Sequence, residues 1–268
     1  MAGDEREVHI GTRGLTMAYG DFVIMREVEF DIRRGDVFII MGGSGCGKST
    51  LMKHLIGLKR PAEGDVLFHG ESMWGASDDA RERMTRRFGV SYQGGALWSS
   101  LTLAENIGLP LGEFTDYTPA EIRELASLKL ALVGLAGFED FHPSEISGGM
   151  QKRAGLARAM ALDPEILFLD EPSAGLDPVS SRRLDELILE LRDSLGTTVV
   201  AVTHELPSIY TIADDAIFLD VETRTMVAHG DPRRLRIDCE NENVRRFLNR
   251  GELEPPLEPA PGEPEASP

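Results

Sequence analysis

The chain has 268 residues and 41% of them are hydrophobic, which is enough for the core of one large domain or two small ones. Its 28 Lys and Arg residues stand against 45 Asp and Glu residues, and the resulting net charge of −17 argues against a nucleic-acid partner. The two cysteines, Cys46 and Cys239, lack metal-type spacing and therefore indicate neither a disulfide framework nor a zinc site.

No segment of the sequence predicts a secretory signal or a membrane span. Residues from Met1 to Arg13 are polar and mixed in charge. The longest apolar segment, Leu128 to Phe138, falls short of the ~20 residues that span a bilayer and predicts a buried helix end. We therefore expect an intracellular protein that does not itself cross the membrane.

The first part of the chain has the pattern of strands. Val8 to Thr16 and Phe22 to Arg33 alternate loosely between apolar and polar residues, as antiparallel strands with one solvated face do. Val37 to Met41 is a continuous apolar run, and short strands are predicted at Asp65 to Phe68 and Gly89 to Tyr92. The chain therefore begins with mainly β structure.

Helices and strands alternate in the middle of the chain. Apolar residues recur at helical spacing from Leu103 to Leu135, and further helices are predicted at Met150 to Leu162 and Arg182 to Leu195. Ile166 to Leu169 and Thr197 to Thr203 are apolar runs, typical of strands buried on both faces of a parallel sheet. This alternation places the chain in the α/β class.

The end of the chain predicts an anchor followed by a tail. Two short strands are predicted at Asp215 to Leu219 and Thr225 to Ala228. Val244, Phe247 and Leu248 then have the i, i+3, i+4 spacing of an amphipathic anchor helix. Residues 251–268 are rich in Pro, and their glutamates contribute −5 to the net charge of −17. We expect this tail to be disordered.

A phosphate-binding pattern, G-x-x-x-x-G-K-[ST], follows the third predicted strand and precedes a segment with helical spacing. Its glycines allow backbone N–H groups to point inward at a phosphate chain, and the helix N-terminus adds its positive dipole end. Lys48 is placed to reach the β- and γ-phosphates, and the Ser49 hydroxyl is placed to ligate Mg²⁺. The pattern comprises Gly42, Gly43, Ser44, Gly45, Cys46, Gly47, Lys48, Ser49 and Thr50. The chain is therefore predicted to bind a nucleoside triphosphate.

Further motifs follow in an order that resembles the nucleotide-binding subunit of an ABC transporter. Ile166 to Glu171 resembles the Walker B strand, Ser147 to Gln151 the signature, and Ser173 to Asp177 the D-loop. Gln93 is similar to the Q-loop glutamine and His204 to the switch histidine. A phosphate-binding loop alone is compatible with many classes of NTPase. The complete set of motifs in this order is compatible with few families other than the ABC ATPases.

The resemblance implies a role in ATP hydrolysis for several side chains. Asp170, at the end of a buried strand, would hold Mg²⁺ together with Ser49 and Gln93. Glu171 would orient and deprotonate the attacking water, and Lys48, Gln93 and His204 would assist catalysis at the γ-phosphate. Tyr19 resembles the aromatic residue that stacks on adenine in this family. The implied ligands are ATP and Mg²⁺.

The signature implies a pair of subunits. In the family it faces the γ-phosphate bound by the other subunit, and here it comprises Ser147, Gly148, Gly149 and Gln151. Each chain has one phosphate-binding loop and one signature, so the resemblance implies a homodimer with two ATP molecules between the subunits. Asp177 is the matching D-loop residue.

Cys46 lies inside the phosphate-binding loop and has two interpretations. It is either a small residue that fits a tight loop or a redox-sensitive thiol. The second interpretation requires the helix N-terminus and Lys48 to lower the pKa of Cys46.

The resemblance implies an ABC ATPase fold with a mostly parallel core sheet, an antiparallel β subdomain and a helical subdomain. We expect one ATPase domain over residues 1–250, with the helical subdomain at roughly 94–162 and the tail at 251–268. The single ATPase unit and the single compact helical segment disfavour DNA-repair relatives and tandem translation factors.

Three stretches are similar to the ATPases of Mla/Mce-type lipid transport: Tyr92 to Trp98, Pro143 to Met150 and Val227 to Gly230. Gly43, where proline is common in this family, departs from the pattern. By this resemblance the partners are a membrane permease and an Mce-domain lipid-binding protein, and the cargo is phospholipid or another hydrophobic molecule. Two alternatives remain open, an importer of amino acids or other polar solutes and a soluble ABC ATPase with a regulatory role.

The membrane partner is expected at the surface between Gln93 and Ser147, where the family receives the coupling helices of the permease. Leu97 and Trp98 are hypothesised to belong to that contact. The resemblance thus places the chain at the cytoplasmic face of the cell membrane as a peripheral subunit.

Overall fold

The structure is a computed structural model that describes residues 7–250. Its strands are β1 (Val8–Tyr19), β2 (Phe22–Arg33), β3 (Val37–Gly42), β4 (Glu63–Phe68), β5 (Glu71–Ser72), β6 (Phe88–Ser91), β7 (Ile166–Asp170), β8 (Thr198–Val202), β9 (Asp215–Asp220) and β10 (Thr225–Gly230). Its α-helices are α1 (Lys48–Leu55), α2 (Asp78–Thr85), α3 (Leu103–Phe114), α4 (Pro119–Leu132), α5 (Gly148–Ala159), α6 (Pro178–Leu195), α7 (Leu206–Ile212), α8 (Pro232–Asp238) and α9 (Glu242–Leu248). Within these residues, no helix combines the length and the apolar character needed to cross a bilayer.

A six-stranded sheet in the order β10-β9-β3-β8-β7-β6 forms the centre of the molecule. Its strands pair in parallel except for β10, which is antiparallel to β9. All residues of β3 and β8 are buried, as expected for apolar strands covered on both faces. The predicted parallel core sheet is confirmed.

A second sheet has four strands in the order β2-β1-β4-β5, all antiparallel. Its apolar face includes Phe30, Ile32 and Phe68, which pack in one cluster with α1 and one face of the core sheet. The alternating pattern of the first two strands therefore predicted the antiparallel β subdomain correctly.

The parallel register brings three chain segments to one edge of the core sheet. Ile40 of β3 and Asp170 of β7 both pair with Val202 of β8, at the carboxyl ends of the three strands. The segments that follow these strands therefore emerge side by side, where α/β proteins bind ligands. They carry the phosphate-binding loop, Glu171 and His204.

Helices α3, α4 and α5 form the predicted helical region. Thr102 and Thr118 each begin a helix with a reciprocal capping box. The expectation of a buried segment from Leu128 to Phe138 is wrong in part, because α4 ends at Leu132 and its apolar residues lie on two faces. Leu130 is buried, whereas Leu128 is 54% exposed. A continuous apolar run therefore did not mean continuous burial.

Helix α6 begins four residues before its predicted start at Arg182. Asp177 accepts hydrogen bonds from the backbone N–H groups of Val179 and Ser180, at 3.0 and 3.1 Å. Pro178 occupies the first helical position, where its missing N–H costs nothing. The cap and the proline together begin the helix directly after the D-loop.

The predicted C-terminal anchor is confirmed. Val244 and Leu248 of α9 are buried, and Phe247 packs edge-to-face on Phe218 at 5.2 Å between ring centroids. The Tyr210 hydroxyl donates to the Leu248 carbonyl. The tail predicted for residues 251–268 lies outside the described residues.

A buried carboxyl group joins the D-loop to the helices behind it. Asp185 of α6 accepts a hydrogen bond from Ser208 of α7 at 2.8 Å, and the Ser208 and Ser173 hydroxyl oxygens lie 3.4 Å apart. All three residues are at least 96% buried. Burial raises the pKa of Asp185 from 3.8 to about 6, and the Ser208 hydrogen bond opposes this only in part.

Replacing Asp185 by Asn should therefore change how stability depends on pH. The folded pKa of Asp185 lies above the unfolded value, so this residue lowers the free energy of unfolding as pH rises from about 4 to about 7, by about 3 kcal/mol. Denaturant unfolding of wild type and Asp185→Asn across this range should give a smaller decrease for the variant. Asp140→Asn, at an exposed carboxylate paired with Arg123, is the control. Identical pH profiles for wild type and Asp185→Asn would show that Asp185 titrates normally.

Candidate ATP-binding site

A cleft with a volume of about 710 Å³ opens at the carboxyl ends of β3, β7 and β8. It brings together most of the predicted ATP-binding and catalytic residues. The predicted residues in its wall are Gly42, Gly43, Ser44, Gly45, Gly47, Lys48, Ser49, Thr50, Gln93, Asp170, Glu171 and His204. Residues 121 positions apart thus share one site, since Ser49 and Asp170 are in contact.

Two neighbouring glycines of the loop have different structural requirements. Gly42 has φ +148°, and a Cβ there would lie 2.5 Å from the Leu219 carbonyl oxygen and 2.6 Å from the Cys46 sulfur. A side chain is therefore excluded at Gly42. At Gly43 a Cβ would meet no described atom within 4 Å. The close approach at Gly42 therefore does not extend to Gly43.

Lys48 lies across the mouth of the loop. Its ammonium group donates to the carbonyl oxygens of Gly42 and Gly43, at 2.9 Å each. These hydrogen bonds hold the side chain on the loop and place a positive charge in the cleft. We propose that Lys48 exchanges them for phosphate oxygens when a nucleotide binds.

Ser49 and Asp170 offer oxygen ligands to a divalent cation. The Ser49 hydroxyl lies 3.4 Å from Asp170 Oδ1, and both face the cleft. Burial and the neighbouring Glu171 charge raise the pKa of Asp170, so a cation at this point would relieve an unfavourable concentration of negative charge. This oxygen set fits Mg²⁺, and we propose that Ser49 and Asp170, with Gln93, hold it.

Glu171 and His204 form a hydrogen-bonded pair at 2.8 Å between Glu171 Oε1 and His204 Nδ1. Glu171 lies in the left-handed region at φ +49°, which is uncommon for a non-glycine residue and is typical of functional turns. Its backbone N–H donates to the Val202 carbonyl at 2.8 Å and fixes this turn on β8. Glu171 Oε2 is buried and has no hydrogen-bond partner among the described residues. His204 thus holds Oε1, while protein atoms enclose Oε2.

Tyr19 lies at the end of β1 and is 53% exposed. A side-chain hydrogen bond with Thr50 and the charge of Lys59 lower the pKa of Tyr19. The Lys59 ammonium covers one ring face, 2.9 Å from the centroid. The proposed adenine contact would therefore use the opposite face.

The signature residues lie outside the cleft wall formed by the described residues. The Ser147 hydroxyl caps α5 by accepting from the Met150 N–H at 3.3 Å. The Gln151 side chain donates to the carbonyls of Pro143 and Ile146, at 2.9 and 3.4 Å. Gln151 thus holds the signature loop, and we propose for it a positioning role in place of a phosphate contact.

The D-loop and the signature helix contact each other directly. Lys152 of α5 donates to the Ala174 carbonyl of the D-loop. Asp177, predicted as the D-loop residue, caps α6, and the hydrogen bonds from that helix lower its pKa. The structure thus links the signature and the D-loop through one lysine.

The interpretation of Cys46 as an activated thiol is wrong. Cys46 is 1% exposed, and burial raises its pKa although the Lys48 charge acts in the opposite direction. Because the thiolate is the reactive form, Cys46 is a small structural residue of the loop.

Comparison with known proteins agrees with this geometry. The ABC transporter family profile matches residues 25–174. The chain belongs to the ABC transporter family. It is 36% identical over 240 residues, 90% of this chain and 88% of the relative, to the intermembrane phospholipid transport system ATP-binding protein MlaF of Escherichia coli K12. It is 41% identical over 248 residues, 92% of this chain and 71% of the relative, to the probable ribonucleotide transport ATP-binding protein mkl of Mycobacterium leprae.

Solved structures of ABC ATPases superpose on the fold. A dimeric post-hydrolysis state of the ATP-binding cassette MJ0796, bound to ADP and Pi, has a TM-score of 0.74 and 29% identity and covers 83% of this chain and 98% of its own. CbiO1 of Clostridium perfringens, part of the ABC transporter complex cbiONQ, has a TM-score of 0.78 and 26% identity, with coverages of 91% and 95%. This ABC subunit is therefore an ATPase.

The sequence does not predict two of the residues near the site as site residues. Phe247 of the C-terminal anchor lines the cleft beside Val202. Lys59 lies in the segment between α1 and β4, and its ammonium group covers the Tyr19 ring. Neither residue belongs to a motif, and both reach the site through tertiary packing alone.

Glu171→Gln should abolish turnover without abolishing nucleotide binding. The amide keeps the shape of the side chain but removes the oxygen that accepts a proton, so the hydrolysis rate should fall about 10²–10⁴-fold. Asp170→Asn should instead weaken Mg²⁺-dependent binding of ATP. Phosphate release and binding of a fluorescent ATP analogue, with and without Mg²⁺, separate the two effects. A Glu171→Gln variant that hydrolyses ATP near the wild-type rate in the assembled complex would contradict the assignment of the base.

The two cysteines should differ in reactivity. Cys239 is partly exposed, whereas Cys46 is buried with a raised pKa, so alkylation of Cys46 should be more than about tenfold slower. Mass spectrometry after timed exposure to iodoacetamide would measure both rates. In the Cys239→Ser variant, the same measurement gives the alkylation rate of Cys46 by itself. Equal labelling of the two native thiols would restore the redox interpretation.

Proposed function

We propose that this chain powers the transport of phospholipid or another hydrophobic molecule through an Mla/Mce-type membrane complex. The observation that carries the proposal is the similarity of this chain to MlaF over nearly the full length of both proteins. The Haemophilus influenzae MlaF is 35% identical over 248 residues, 92% of each chain. The partners are then a permease and an Mce-domain lipid-binding protein, and the chain acts at the cytoplasmic face of the inner membrane.

The geometry supports a separate role for each side chain of the cleft in ATP hydrolysis. Bound Mg²⁺ would neutralise phosphate charge between Ser49 and Asp170. Lys48 binds the phosphates, and the Glu171 carboxylate accepts the proton of the attacking water. His204 Nδ1–H holds Glu171 Oε1 and fixes the direction of that carboxylate.

A second copy of the chain completes the site. The signature, Ser147 to Gly149, presents the N-terminus of α5 outward, and Ser147 and Gly148 are exposed. A helix N-terminus with free N–H groups favours an anion such as the γ-phosphate of the partner subunit. The dimeric state of MJ0796, a structure similar to this one, supports a pairing of two copies.

The permease is proposed to dock in a groove of about 500 Å³ between the helical region and the core sheet. Trp98 lines this groove and is 62% exposed, and Phe114 and Leu109 lie on its wall. Leu97, the other hypothesised contact, packs partly buried against the core. We therefore assign the docking contact to Trp98 and give Leu97 a supporting role.

The groove is rigidly connected to the ATP machinery. Asn106 is fully buried, and its side chain accepts from the Trp98 N–H at 2.7 Å and donates to the Trp98 carbonyl at 3.0 Å. Arg158 of α5 donates to the carbonyls of Ala96 and Gly95, at 2.8 and 3.1 Å. The helix that begins with the signature therefore also holds the segment that carries Trp98. This shared helix is the proposed coupling element.

Trp98→Glu should uncouple transport from hydrolysis. The change removes the exposed indole that would be buried against the permease, while the ATP cleft is untouched, so affinity for ATP should stay within about twofold. Co-purification of the permease and transport should both fall at least about tenfold. Ile237→Glu, at a similarly exposed residue of α8, is the matched control. Normal assembly and transport by Trp98→Glu would displace the docking site from this groove.

The cargo requires a separate measurement, because the mkl relative carries a ribonucleotide transport name and therefore favours a polar cargo. The complex purified with this chain would be reconstituted in liposomes. ATP-dependent movement of a labelled phospholipid and of a labelled ribonucleotide would be compared, with Glu171→Gln as the inactive control. Movement of the ribonucleotide alone would overturn the lipid assignment, and the absence of any co-purified membrane protein would favour a soluble ATPase.

A further inference from the structure

A second cluster of ionisable side chains lies at the opposite edge of the core sheet from the ATP cleft. His9 is in β1, His69 is in the turn after β4, and Glu165 immediately precedes β7. His9 is 1% exposed, and the other two side chains are partly buried, 22% and 30% exposed. These residues belong to no motif of the ATPase and lie 60 to 156 positions apart.

The three side chains converge on one point. The Nε2 atoms of His9 and His69 lie 3.2 and 2.9 Å from the same carboxylate oxygen, Glu165 Oε2. Their ligand atoms all lie within 4.8 Å of one another. Among the described residues, this is the group of His, Cys, Asp and Glu side chains whose geometry suits a metal ion.

We propose that His9, His69 and Glu165 bind a divalent transition-metal ion of the zinc class. Zinc–ligand bonds of about 2.0–2.1 Å place neighbouring tetrahedral ligands about 3.3 Å apart. The two nitrogen–oxygen spacings of 2.9 and 3.2 Å therefore need to widen by up to about 0.4 Å, and the two Nε2 atoms, which lie within 4.8 Å of each other, must reach the same separation. Two imidazoles and one carboxylate form a zinc ligand set that leaves a fourth position for water.

The other ring nitrogens support this role. His9 Nδ1 lies 2.7 Å from the Thr198 hydroxyl, and His69 Nδ1 lies 3.4 Å from Glu7 Oε1. Metal-binding histidines usually donate their second N–H to an oxygen, which fixes the tautomer that presents a lone pair to the metal. Thr198 is itself fixed by the Gly35 N–H at 2.9 Å.

The carboxylate of Glu165 divides its two oxygens between different partners. Arg87 binds Glu165 Oε1 and leaves Oε2 to the histidines.

A metal here would act as a structural link. Its ligands come from both sheets, since β1 and the β4 turn belong to the antiparallel sheet and Glu165 leads into the core strand β7. The ion would therefore stabilise the packing of the antiparallel sheet on the core. It would lie away from the Mg²⁺ site proposed at Ser49 and Asp170.

Zinc titration of the full-length, tag-free chain, stripped of metal by a chelator and kept in excess Mg²⁺, tests this inference. Calorimetry should detect one more Zn²⁺ per chain in the wild type than in His69→Gln. If both bind the same number, the wild type should bind Zn²⁺ at least about tenfold more tightly than His69→Gln. Zn²⁺ should also raise the Tm of the wild type, because it binds the folded chain preferentially. His229→Gln should behave like the wild type, since His229 pairs with a single carboxylate, Asp215, at 2.8 Å.

Two outcomes would overturn the proposal. The first is equal zinc affinity and equal Tm shift for the wild type and His69→Gln, which would reduce the cluster to a hydrogen-bonded network. The second is a weak, octahedral absorption spectrum when Co²⁺ replaces Zn²⁺ in the wild type. The cobalt measurement needs no variant, so the proposal stays testable even if His69→Gln and the conservative His9→Gln fold poorly.

Discussion

The function of this protein depends on the parallel register of β3, β8 and β7. Ile40 and Asp170 flank Val202 at equivalent levels, so the phosphate-binding loop, the acidic pair and His204 leave the sheet at one edge. Backbone hydrogen bonds between largely apolar and buried strands fix this register, and a shift by one residue would turn the side chains of a strand to the other face. The catalytic geometry is thus set by residues that perform no chemistry.

The cleft combines opposite charges that a nucleotide would rearrange. Lys48 is held by loop carbonyls, whereas Asp170 and Glu171 place two carboxylates side by side on a partly buried edge. Burial makes the repulsion between these carboxylates costly, and a magnesium ion bound with the phosphates would relieve it.

Helix α5 connects the regions that must act together. Its first turn carries the signature, Lys152 binds the D-loop, and Arg158 binds the segment that leads to Trp98. We propose that α5, as a single stiff helix, carries a displacement from the permease groove to the signature. The buried Asp185, which binds Ser208, adds a second rigid connection behind the D-loop.

The sequence by itself determined the α/β class, the phosphate-binding loop and the acidic strand end, because glycine conformations, helix caps and apolar periodicity act over a few residues. Only the tertiary structure decided the environment of each side chain. It buried Cys46 and raised its pKa, it exposed Leu128 in an apolar run, and it joined His9 to Glu165. Burial and contacts between distant segments depend on the packing of the whole chain, and no local pattern encodes them.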